Sequence, residues 1–198
     1  MTSAKSGASS ALYRFEAPYD QYFNYVYRSL DPTGPVWDRD AYYPDWVPGP
    51  KDRPFDPVGR TYKFEEKPKR KKIPTFPHTG LPLVCPKALY VEFLSDLFDG
   101  HVLTYPCKID GQDYLEVVVT TIVDLIDMEK SVYLRNTGNH IYRFNKIVLR
   151  RPDSVLPPIF LCGQENQLRG DPIVDHRFVD ICKERKLTGL QFTEVEAL

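Results

Sequence analysis

The chain has 198 residues, 42% hydrophobic and 27% charged, with a formal net charge of −1. That length suits one domain, or one domain with a long extension, and buries about 70% of its unfolded surface without disulfide or metal staples. The near-neutral charge gives no bulk attraction to nucleic acid or anionic lipid, and no run approaches the ~18 apolar residues of a membrane span. The small, polar Met1–Ser10 stretch lacks the apolar core of a signal peptide, so a cytoplasmic protein is expected.

Charge and composition divide the chain. Residues 1–82 hold 13 Lys/Arg against 10 Asp/Glu, and residues 83–198 hold 13 against 17. The first part also carries 12 of the 18 prolines and 8 of the 13 tyrosines. We therefore expect a loop-rich extension over 1–72 and an α+β domain over 73–198.

In the extension, Leu12-Tyr13-Arg14-Phe15 alternates as a first strand should. Pro18 to Pro57 is broken by Asp-Pro, Gly-Pro and Pro-Gly steps that stop helices and ladders. Yet Tyr19, Tyr22, Phe23, Tyr25, Tyr27, Trp37, Tyr42, Tyr43 and Trp46 are too aromatic for a disordered linker. An ordered segment packed on the domain is expected, with the rings as anchors. Tyr62-Lys63-Phe64 predicts a short strand. The basic run Lys67 to Lys72 has no interleaved aromatic or Gly pattern and reads as a solvated loop rather than a nucleic-acid patch.

From residue 83 the pattern is more regular. Pro86 fits the first position of a helix, and Ala88, Leu89, Val91, Phe93, Leu94, Leu97 and Phe98 give it an apolar face to Asp99-Gly100, predicting a helix over 86–98. Val102 to Tyr105 reads as a strand, Asp110-Gly111 as a hairpin turn and Leu115 to Ile122 as a central strand. Val132-Tyr133-Leu134 and Ile141 to Phe144 flank a second turn pattern, Asn136 to Asn139. Ile159 to Cys162 is a short strand after Pro157-Pro158. Val174, Phe178, Ile181 and Cys182 recur at helical spacing behind the capping residue Asp175, predicting a helix over 175–186 that Leu187-Thr188-Gly189 stops. Leu190 to Val195 alternates as a last strand. The sum is an α+β fold with a largely antiparallel sheet and two main helices, with Phe160, Leu190 and Phe192 in the core.

The chemistry-bearing residues form no familiar set. There is no G-x-S-x-G, H-E-x-x-H or Walker loop, and His78, His101, His140 and His176 are scattered. Cys85, Cys107, Cys162 and Cys182 lack metal-knuckle spacing and read as buried thiols of a reducing compartment. No metal or other cofactor is implied, and no catalytic residue is assigned. Asp124, Asp127 and Glu129 are the one dense acidic group beside an apolar strand. They admit three readings: caps of a turn closed by Ser131, paired carboxylates of an enzyme, or a phosphate-like patch for a basic partner. Tyr42, Tyr43 and Trp46 admit two, as partner-binding anchors or as rings packed on their own domain.

Six segments in order carry a resemblance over about residues 73–195. They are Lys72-Ile73-Pro74-Thr75-Phe76, then Leu83-Val84, then Val123-Asp124 through Asp127 to Ser131. Ile159-Phe160-Leu161, Val174-Asp175 and Leu187-Thr188-Gly189-Leu190-Gln191-Phe192 to Val195 follow. The order resembles a family of bacterial immunity proteins of the myxobacterial type that neutralise polymorphic toxins. Cys85-Pro86 stands where that pattern more usually has a serine, and residues 1–72 match nothing in it. The resemblance implies a non-enzymatic protein that binds a cognate toxin domain and occludes it, with no nucleic acid or membrane as partner. It names neither the toxin nor the oligomeric state. The residues by themselves leave open a small enzyme on an Asp/Glu or Cys–His site, and a structural or regulatory protein-binding module.

Overall fold

The computed structural model describes residues 11–16, 25–27, 60–64, 74–77, 83–135, 137, 141–152, 154–163 and 172–198, with backbone alone for 25–27, 60–64 and 141–143. It is a mixed α+β fold, mostly strands, with two helical segments and mostly antiparallel pairing. Tyr42, Tyr43, Trp46 and the basic run at Lys67–Lys72 lie outside the described residues.

The strands in chain order are β1 (Leu12–Glu16), β2 (Tyr25–Tyr27), β3 (Arg60–Phe64), β4 (Leu83–Pro86), β5 (Val102–Ile109), β6 (Gln112–Val119) and β7 (Ile122–Val123). Then come β8 (Val132–Arg135), β9 (Ile141–Lys146), β10 (Val148–Leu149), β11 (Ile159–Cys162), β12 (Ile173–Asp175) and β13 (Gln191–Ala197). One sheet has the order β10-β13-β1-β12-β11-β7 and a second the order β2-β3-β5-β6-β4, while β8 and β9 form a separate hairpin. Parallel pairings join β3 to β5, β7 to β11 and β10 to β13. Both sheets therefore draw strands from before and after residue 73.

Local chemistry sets most of these elements. Between β5 and β6, Asp110 (φ 48°) and Gly111 (φ 83°) both take left-handed backbone, the requirement of a two-residue type I′ turn that Asp-Gly meets. The first helical segment runs as α1 (Lys87–Leu89), a π-helical stretch Tyr90–Leu94, and α2 (Ser95–Phe98). Its buried face is Tyr90, Leu94 and Phe98, whereas Ala88 and Val91, expected on that face, are exposed. Pro86 lies one residue earlier than expected, as the cap that ends β4.

The second helix, α3 (His176–Glu184), starts on Asp175, whose Oδ1 accepts the Arg177 N–H at 3.0 Å. It stops before Leu187-Thr188-Gly189. The Leu187 N–H donates to Cys182 O and the Lys186 N–H to Lys183 O, at 2.8 and 3.1 Å, with Lys186 left-handed (φ 53°). That is a Schellman ending with lysine in the position glycine usually takes.

The large sheet is buried on both faces. Tyr13, Phe15, Ile159, Val174 and Phe192 turn to one side, with Phe76, Leu94, Phe98, Phe178 and the Leu83, Cys85, Leu115, Val117 face of the second sheet. Leu12, Phe160, Cys162, Ile173 and Val195 turn to the other, with Ile126, Phe144, Ile147 and Leu149. Phe178 is fully buried, and its ring centroid lies 5.3 to 6.1 Å from those of Phe15, Phe76, Phe98 and Phe192. Of the three residues expected in the core, Phe160 is wholly buried, while Leu190 and Phe192 are half-buried at its margin.

Truncating the hub of this ring cluster should be far worse than truncating its rim. Phe178→Ala should cost about 3–5 kcal/mol, the range for a buried phenylalanine, and Phe192→Ala about 1–3 kcal/mol. Urea titrations of the two variants against the parent protein give the comparison, and equal losses would contradict the assignment of hub and rim.

Candidate functional site

The acidic group lies on the loop between β7 and β8, stitched to the chain around β10. The Asp127 N–H donates to Val148 O at 2.8 Å and the Arg150 N–H to Leu125 O at 2.7 Å. Asp127 Oδ1 accepts the N–H groups of Glu129 and Lys130, each at 3.1 Å, and Lys130 Nζ stands 3.6 Å from Oδ2. Both oxygens are thus engaged in holding the turn, as aspartate commonly does. Ser131 completes it. Its buried hydroxyl accepts the Val148 N–H at 2.9 Å and donates to Val148 O at 3.3 Å.

Asp124 meets Arg150, whose Nη2 reaches Oδ1 at 3.1 Å and the Asp124 carbonyl at 2.8 Å. Glu129 is exposed on the turn. The loop does bring Asp124, Asp127 and Glu129 together, but it spends Asp127 on the turn itself and pairs Asp124 with an arginine.

The thiols sit in the core. All four are buried and none is in a disulfide. Burial pushes Cys85, Cys162 and Cys182 up to about 12, with the nearby Cys107 adding to the shift at Cys85 and Asp124 adding to it at Cys162. A nucleophilic thiol needs the opposite environment, cationic and partly exposed. His101 Nδ1 lies 3.0 Å from Thr121 Oγ1, and His176 is exposed at the start of α3. Among the described residues no three His, Cys, Asp or Glu cluster in metal-binding geometry, and no helix is long and apolar enough to cross a membrane.

The surface feature missed from the sequence adjoins the acidic turn. On β8, Tyr133 turns inward with its ring centroid 5.8 Å from that of Phe144, while Val132 and Leu134 turn outward and are 52% and 40% exposed. Arg135 stacks over the Tyr133 ring, 5.0 Å from its centroid. The signal was present: Val-Tyr-Leu is apolar at successive positions, so a strand there has two apolar faces and needs cover on both. On the far side of β9 a shallow cleft of about 180 Å³ is lined by Arg14, Asn145, Lys146, Thr193 and Glu196, among others. Lys146 and Glu196 pair across it at 2.7 Å.

No protein-family model and no curated protein matches the chain.

Two sets of measurements check this geometry. Ser131→Ala leaves the buried Val148 N–H without its acceptor, while Val148 O keeps the Asp127 N–H, and should cost about 1–3 kcal/mol. Asp124→Ala, which removes a solvated ion pair, should cost under about 1 kcal/mol in the same denaturant titration. Thiol reagent at pH 8 should leave Cys85, Cys162 and Cys182 unmodified until denaturant is added. Their pH dependence has a definite sign. Unfolded thiols ionise near the ordinary 9.0, whereas native ones stay neutral to about 12. Stability should be intact below pH 9 and decline as pH rises from there toward 12.

Proposed function

We propose that the protein is an immunity protein of the cytoplasm that binds a cognate toxin domain stoichiometrically and occludes it. What supports this reading is where the resembling segments fall. Pro74 to Phe76 dock on Thr188: the Phe76 N–H donates to its carbonyl at 2.9 Å, and Thr75 and Thr188 exchange backbone-to-hydroxyl bonds at 3.1 and 3.2 Å. Leu83-Val84 form the buried strand β4. Asp127 to Ser131 make the turn tied to Val148. Ile159 to Leu161 build β11, Val174-Asp175 lead into and cap α3, and Leu187 to Val195 carry the strap contact and the strand beside β1.

Each segment is thus a joint of the scaffold, and the exposed apolar hairpin lies between joints. A constant frame with an individual surface is the arrangement that inhibitors of diverse toxins need, because specificity comes from the surface alone. Among the described members of the site, Glu129 and the outward face of β8 are the groups open to a partner.

The test is a titration of the neighbouring gene's toxin domain with this protein. Toxin activity should fall linearly and vanish near about one equivalent when both are well above Kd. Full protection at a small fraction of an equivalent would refute occlusion and bring forward an enzyme that acts on the toxin or its product.

A further inference from the structure

We draw no further inference here: the strongest candidate, the exposed apolar patch of Val132 and Leu134 on the edge of the β8–β9 hairpin, carries none because nothing in the structure shows what covers it.

Discussion

The fold closes on β1. This five-residue strand comes from the start of the chain, and both its neighbours, β12 and β13, come from the end. Without it, the facing edges of β12 and β13 would lose their ladders, and unpaired backbone groups in a buried sheet are expensive. β1 also feeds both sides of that sheet: Phe15 joins Phe178 and Phe192 on the helix side, and Leu12 joins Val195 on the hairpin side. Bringing such distant segments together costs less than intuition suggests, since each doubling of loop length adds only about 0.6 kcal/mol. The cost appears instead in kinetics, because contacts this remote form late.

A second long-range joint stands beside the first. The Pro74–Pro77 strap lies over the turn after α3, where Gly189 has φ 102°. A side chain on Gly189 would drive a Cβ into the Phe76 carbonyl and to 2.7 Å from the Pro74 side chain. Glycine is therefore needed twice over, for its backbone angle and for the close approach. The strap sets Phe76 against Phe178, in the ring cluster that β1 also enters. One phenylalanine of a short amphipathic helix thus joins the beginning, middle and end of the chain.

How far the sequence reached depends on how local each cause is. The Asp110-Gly111 turn and the Asp175 cap rest on neighbours within a few residues, and composition and spacing reach them. Neither reaches β12. Val174 continues the helical spacing of Phe178, Ile181 and Cys182, while its strand state is set by pairing with Tyr13 far away. Gly189 was read as the helix stop, yet Lys186 performs that task and Gly189 serves the strap, a partner more than a hundred positions earlier in sequence. The acidic group was legible as a cluster. That Asp124 is answered by Arg150 was not, because β10 reaches the loop only through tertiary contacts. Tyr42, Tyr43 and Trp46 belong to residues the structure leaves undescribed.

These constraints bear on where recognition can reside. A residue that joins remote strands, such as Phe15, Phe178 or Gly189, cannot vary to suit a partner without loosening both cores. The acidic turn is hardly freer, since Asp127 and Ser131 are spent on Val148 and its neighbours. The hairpin differs. Its inward side is anchored by the Tyr133–Phe144 contact, which leaves Val132 and Leu134 outside the scaffold's needs. A strand edge of that kind carries an aggregation liability that natural proteins usually blunt with charge, and Arg135 and Lys146 supply charge at the ends of β8 and β9.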